Sequence, residues 1–277
     1  MNRTIVFLLF ATVFSQCFGQ SLPKDYGTIQ TKLFTGDSQN QMLIVAFGGS
    51  EGGNIFANED QKGLRNRFHR LGFSFLSVGY FGDKGLPRKL DRISLNAVYD
   101  TIKNTSSRLK IDSNRILLIG ASRGAELALN LAIRYNFMGV IALVPPSVSL
   151  PYANNKQSTS SWTYNDKEVP YLSLSYDQIK GNGWLRAIES ELKNKPNVDS
   201  SSIKVENIKG YIFLSSAKND ELWPSEQMCN SIVDRLKMNN FKYQYEHVTV
   251  DGGHLPSKHW DMAFKFIEEQ ILKPQKD

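Results

Sequence analysis

The feature that most constrains this chain is an alternation. Short apolar runs, "MLIVAF" (42–47), "FSFLSV" (73–78), "RILLIG" (115–120), "GVIALV" (139–144), "GYIFLSS" (210–216) and "YQYEHVTV" (243–250), are separated by segments with helical apolar spacing. Runs of this length, rich in branched and aromatic residues, read as buried strands. Parallel strands cannot be joined by a tight turn and need a crossover, and a helix supplies it. "FANEDQKGLRNRFHRLG", "SLNAVYDTIKNTS", "RGAELALNLAIRYN", "SEQMCNSIVDRLKMNN" and "KHWDMAFKFIEEQIL" fill that role. The expectation is an α/β chain with a mostly parallel central sheet flanked by helices. With 277 residues, 41% of them hydrophobic, it can build a single sizeable core.

One segment breaks the rhythm. From Pro145 to about Glu206 the chain is rich in Pro, Ser, Asn and Tyr and has no clear strand. A structureless loop of that length is rare inside a compact domain, so the segment reads as a small cap or lid of short helices over the open strand ends. Its Trp162, Tyr164, Tyr171 and Trp184 are candidates for the walls of a substrate pocket.

The amino terminus, "MNRTIVFLLFATVFSQCFGQ", has the layout of a cleavable export signal: Arg3, a short apolar run, then small and polar residues up to Gly19. The reading is a signal peptide over 1–19 and an α/β domain over 20–277, with a secreted or periplasmic location. Gln16 stands where a small residue normally precedes a lipidated cysteine, which argues against an anchor on Cys17. Signal removal leaves Cys229 as the one thiol and no stable membrane span. The net charge of +6 comes from basic residues interleaved with acids, a solvated surface with no nucleic-acid footprint.

The chemistry concentrates at "GASRGAE" (120–126), where an apolar strand meets Ser122 between Gly120 and Gly124 and then an amphipathic helix. A serine on a sharp strand-to-helix turn projects its hydroxyl above the sheet, and flanking glycines let the two backbones crowd past each other. A serine nucleophile needs a base. His69 lies in a predicted helix and His247 in a predicted strand, whereas His254 follows the last strand in the loop "VDGGHLPSKHW", with His259 as the alternative. The carboxylate that orients the base should follow "GYIFLSS", where "SAKNDELWPS" offers Asp220 and Glu221; Asp220 is the choice, and Asp251 reads as a turn former. An oxyanion needs backbone donors. The Arg123 amide is one, and the glycine-rich "FGGSEGG" offers that of Ser50 or Glu51 as the other. That loop lacks the lysine and hydroxyl ending of a phosphate-binding loop, and no histidine pair has metal-ligand spacing on one element. No cofactor or metal is called for.

The segments "FGGSEGG", "GYFGDKGLPRKLDRISL", "GASRGAELAL", "SWTYNDKEVPYL", "DELWPS" and "GGHL" together resemble the carboxy-terminal catalytic domain of the acyl-CoA thioesterases and bile acid-CoA:amino acid N-acyltransferase. The resemblance runs from about Leu43 to Ile271 and implies an α/β-hydrolase fold with Ser122 as nucleophile, Asp220 as acid and His254 as base. It also implies that serine at the nucleophile position favours hydrolysis, since the transferases carry cysteine there. The chain departs from the eukaryotic members in having too few residues before "MLIVAF" for their amino-terminal immunoglobulin-like domain. The expected activity is that of a serine hydrolase acting on a small acyl ester or thioester, with Arg88 and Lys89 placed to meet an anionic leaving group. Acyl transfer to an amine and a non-catalytic binding role on the same scaffold are the alternatives.

Overall fold

The computed structural model describes residues 26–36, 41–153, 158–254 and 257–273. The export signal expected over 1–19 lies outside the described residues. In chain order the elements are β1 (Gln30–Phe34), β2 (Met42–Phe47), α1 (Lys62–Arg70), β3 (Phe73–Gly79), β4 (Ile93–Ser94), α2 (Leu95–Leu109), β5 (Ile116–Ala121), α3 (Arg123–Ala132) and β6 (Gly139–Leu143). Then come β7 (Pro151–Ala153), β8 (Ser158–Ser160), β9 (Trp162–Tyr164), β10 (Lys167–Glu168), α4 (Tyr176–Asn182), α5 (Trp184–Glu191) and α6 (Lys195–Ser201). The chain continues with β11 (Tyr211–Ala217), α7 (Ser225–Met238), β12 (Tyr245–Val250) and α8 (Ser257–Phe266).

A seven-stranded sheet runs in the order β1-β3-β2-β5-β6-β11-β12. Only β1 is antiparallel to its neighbour; it escapes sequence reading because "QTKLF" is a short edge segment with exposed positions. Leu43, Val45, Phe47, Leu118, Val140 and Leu214 face one core layer, and Ile44, Ala46, Leu117, Ile119, Ile141 and Phe213 face the other. Burial of both faces explains why these strands read as continuous apolar runs.

The helix after Ser122 departs from expectation. Every residue of α3 from Arg123 to Ala132 is buried, so it has no solvent face. The covering comes in part from the 145–206 insertion, which carries the four short strands β7 to β10 as well as helices. Strands of two or three residues are too short to leave a period in the sequence. β9 pairs with β4, and Leu150 and Trp162 hydrogen-bond to Glu126 of α3. The insertion is thus laid against the flank of α3 as well as near the strand ends.

Two glycines set the distance between β5, α3 and β2. A Cβ on Gly120 would lie 2.2 Å from the Gly124 carbonyl oxygen, and one on Gly124 would lie 2.3 Å from the carbonyl oxygens of both Gly48 and Phe47. All three obstacles are backbone atoms, which cannot rotate aside. Gly124→Ala is therefore expected to cost roughly 3 kcal/mol of stability, read as a drop in the urea unfolding midpoint.

Candidate active site

Three loops at the carboxyl ends of β5, β11 and β12 carry Ser122, Asp220 and His254, the end of a parallel sheet where ligands bind. Ser122 sits at φ 57° and ψ −123°. This conformation is strained for a residue with a Cβ, and a cluster of bonds holds it. Its N–H donates to the Leu143 carbonyl at 2.9 Å, and its carbonyl accepts from the amides of Ala125 at 3.0 Å and Glu126 at 3.2 Å. The turn aims a small polar side chain out of a buried strand.

His254 Nδ1 lies 2.8 Å and 2.9 Å from the two carboxylate oxygens of Asp220. A ring nitrogen facing a carboxylate carries the proton, which leaves Nε2 as the acceptor when the imidazole is neutral. Asp220 Oδ1 also accepts from the amides of Leu222 at 3.0 Å and Trp223 at 3.3 Å. Burial acts to raise its carboxyl, but the His254 hydrogen bond and charge, with help from Ser225 and Leu222, outweigh it and hold the group below its ordinary value of 3.8. Glu221, the other candidate acid, accepts from the backbone N–H of His254 at 2.9 Å. It fixes the loop, and the ring belongs to Asp220. Trp223 packs edge-on against the imidazole, with centroids 4.6 Å apart.

Ser122 Oγ and His254 Nε2 are both buried and have no hydrogen-bond partner among the described residues. They line one cavity of about 900 Å3 with Gly48, Gly49, Ser50 and Glu51. Its apolar wall is formed by Ile55, Phe56, Ala121, Leu222 and Trp260. The Arg123 amide occupies the first position of α3, where an N–H has no acceptor within the helix. The Gly49 amide is taken up by Glu51 Oε1 at 2.9 Å, and Tyr80 donates its hydroxyl to the Gly48 carbonyl at 2.6 Å. These bonds pin the glycine-rich loop beside Ser122.

A second cavity of about 480 Å3 shares Ser50 and Leu222 with the first. Arg88, Lys89 and Trp184 line it together with Tyr152 and Trp223. The other three aromatic candidates are not among the residues that line these two cavities. Trp162 is fully buried with its indole N–H donating to Glu126 at 2.5 Å, Tyr164 stacks edge-on with Tyr135, and the Tyr171 hydroxyl donates to the Ser158 carbonyl at 2.9 Å. Trp162 is tied to α3, Tyr164 packs on the segment just after it, and Tyr171 bonds within the insertion itself. The wall residues Ile55, Phe56 and Trp260 escaped sequence reading. Their signal was position: two directly follow the glycine-rich loop, and the third opens α8 close behind His254.

The remaining histidines have structural partners. His259 Nδ1 is 2.9 Å from Ser215 Oγ, and His247 Nε2 is 2.8 Å from Ser216 Oγ. Burial lowers both imidazoles from 6.5, with the neighbouring His254 adding to the effect on His259. A histidine lowered on folding binds fewer protons in the folded than in the unfolded chain, so stability is lost as pH falls below 6.5. The thermal midpoint should decline between pH 7 and pH 5, and His259→Gln should flatten that decline.

The sheet order, the strained turn at Ser122 and the loops at the strand ends define an α/β-hydrolase fold. The chain belongs to the family described as BAAT / acyl-CoA thioester hydrolase C terminal, which it matches over residues 99–257. Residues 32–159 also match an α/β-hydrolase family of unknown function. The acyl-coenzyme A thioesterase 2, mitochondrial, of Mus musculus is 27% identical over 170 residues, 60% of this chain and 35% of that protein. The acyl-coenzyme A amino acid N-acyltransferase 1 of Mus musculus is 28% identical over 172 residues, 60% of this chain and 38% of that protein. The chain thus spans little more than a third of the length of these relatives. Among solved structures, the Bacillus cereus carboxylesterase superposes with a TM-score of 0.53 at 14% identity, covering 87% of this chain and 94% of its own. A Pyrococcus horikoshii acylaminoacyl peptidase gives 0.61 at 13% identity, covering 90% of this chain and 40% of its own. At that identity the likeness is one of fold. Among the described residues no helix is long and apolar enough to cross a membrane, and no acidic, histidine or cysteine cluster could hold a metal.

Proposed function

We propose that the chain is an exported serine hydrolase that cleaves small acyl esters or thioesters through Ser122, His254 and Asp220. One observation carries the reading: Ser122 Oγ and His254 Nε2 are unpartnered and line one apolar cavity, while the other face of the imidazole is held by Asp220. The Ser122 hydroxyl proton passes to His254 Nε2 as Oγ forms a bond to the acyl carbon. The amides of Arg123 and of Ser50 or Glu51 hold the oxyanion. Collapse breaks the bond to the leaving sulfur or oxygen, which takes the proton from Nε2. Water then adds to the acyl-enzyme, gives a proton to Nε2, and that proton returns to Ser122 Oγ as the acid departs. Asp220 stays ionised throughout and stabilises the imidazolium.

The catalytic cavity and the second cavity together take the two halves of the substrate on either side of Ser50 and Leu222. Arg88 and Lys89 at the second cavity favour a half that bears an anionic group. Reversing both charges is expected to raise KM for an anionic substrate about tenfold and leave a neutral one unchanged, because exposed charges act modestly and at short range. Matched acyl-CoA, S-acyl pantetheine and p-nitrophenyl esters, offered to the chain starting at Gln20, test the reading. Hydrolysis of any of them that depends on Ser122 supports it. Absence of turnover across the series, with no labelling by a fluorophosphonate, contradicts it.

A further inference from the structure

The buried polar groups nearest Ser122 belong to the helix that follows it. Arg123 and Glu126 are 4% and 0% exposed, and Arg123 Nη1 lies 2.6 Å from Glu126 Oε2. These two atoms form an ion pair without hydrogen-bond alignment and have no other partner. Their remaining polar atoms leave the helix and seize the insertion. Arg123 Nη2 donates to the Leu150 carbonyl at 3.0 Å and to Ser161 Oγ. Glu126 Oε1 accepts from the Leu150 amide at 2.9 Å and the Trp162 indole at 2.5 Å. Both backbone groups of Leu150 are therefore held by one ion pair. One turn further along, Asn130 Nδ2 donates to Ser149 Oγ at 3.0 Å.

A buried ion pair is a poor source of stability, since taking two charges out of water costs about as much as their attraction returns. Burial indeed pushes the Glu126 carboxyl up and the Arg123 guanidinium down, each opposed by the other's charge. What the pair does well is fix geometry. Arg123 contributes to the chemistry with its backbone and to the insertion with its side chain, so any displacement of the insertion pulls on the residue whose amide adjoins Ser122.

We propose that Arg123 and Glu126 are positioning residues whose ion pair locks the insertion onto α3 and holds the Arg123 amide where the oxyanion forms. The insertion is then a fixed wall at this edge and not a lid. This rests on the reading of Ser122 as nucleophile.

The test uses Glu126→Gln, which keeps an acceptor for Leu150 and Trp162 but removes the charge, and Arg123→Lys, which keeps the charge but loses the forked contact. Activity is measured on a short-chain p-nitrophenyl ester below each variant's unfolding transition. Active sites are counted by fluorophosphonate titration, so that unfolded protein does not enter kcat. The expected result is a fall in kcat per titrated site of about 10- to 100-fold, with KM within about threefold, because small misplacements of a transition-state group cost that much. A boronic acid that forms a tetrahedral adduct on Ser122 should weaken by the same factor. An unchanged kcat per titrated site in both variants, with only a lowered thermal midpoint, would overturn the proposal and leave the pair a structural role. If Glu126→Gln fails to fold, Arg123→Lys and Trp162→Phe give the same reading. Wild-type protein that is not labelled at all would defeat the assignment of Ser122 itself, a distinct outcome.

Discussion

Replacing Ser122 by alanine is expected to lower kcat for any accepted acyl substrate by roughly a millionfold, while leaving KM and the unfolding midpoint near those of the parent chain. The loss is large because the acyl-enzyme cannot form without the Ser122 hydroxyl. The fold should tolerate the change. Ser122 Oγ makes no hydrogen bond among the described residues, and the strained backbone at φ 57° is held by main-chain bonds to Leu143, Ala125 and Glu126. Stability is expected to hold or rise slightly, because a buried hydroxyl without a partner is removed. A residual rate above about a thousandth of the parent's would be incompatible with a covalent role for Ser122.

Asp220→Asn should have the second largest effect, a fall in kcat of about ten-thousandfold with little change in KM. Asp220 accepts a hydrogen bond from His254 Nδ1–H at 2.8 and 2.9 Å, so the neutral imidazole keeps its lone pair at Nε2, in the cavity that Ser122 also lines. An amide in its place can turn its NH2 to Nδ1 and favour the tautomer with the proton on Nε2, which cannot act as a base. It also removes the negative charge that stabilises the imidazolium. The carboxylate additionally supports the fold. A carboxyl held below 3.8 on folding contributes stability above that value and loses it as pH falls further. The parent chain should therefore show a steeper loss of stability below pH 4 than Asp220→Asn, a comparison read from urea midpoints.

Most of what positions the site was legible in the sequence because it depends on strong, local signals. The apolar runs that form β2, β3, β5, β6 and β11 each occupy a buried strand, since a sheet covered on both faces demands uninterrupted apolar residues, and the half-buried edge strand β12 keeps Glu246, His247 and Thr249. Ser122, Asp220 and His254 fall at the ends of those strands, so the order of the strands already placed them on one edge. What stayed hidden depends on tertiary contacts with no period of their own. The strands β7 to β10 are too short to show one. Trp162 has the composition of a pocket wall, yet its indole N–H finds Glu126 across 36 positions of sequence and becomes core. The clue lay in α3: a glutamate among Ala and Leu, on a helix that turned out to be buried on every side, must have had a partner. Ile55, Phe56 and Trp260 carry no chemical signature and are recognised only when the loops converge.

The most direct test of the account is the site of covalent modification. Purified chain beginning at Gln20 would be treated with a fluorophosphonate, its intact mass recorded and the adduct located by peptide mapping, with His254→Ala alongside. The account predicts a single adduct on Ser122 whose formation is slowed by orders of magnitude when His254 is removed. An unmodified protein, or an adduct on another serine formed equally fast without His254, would contradict it.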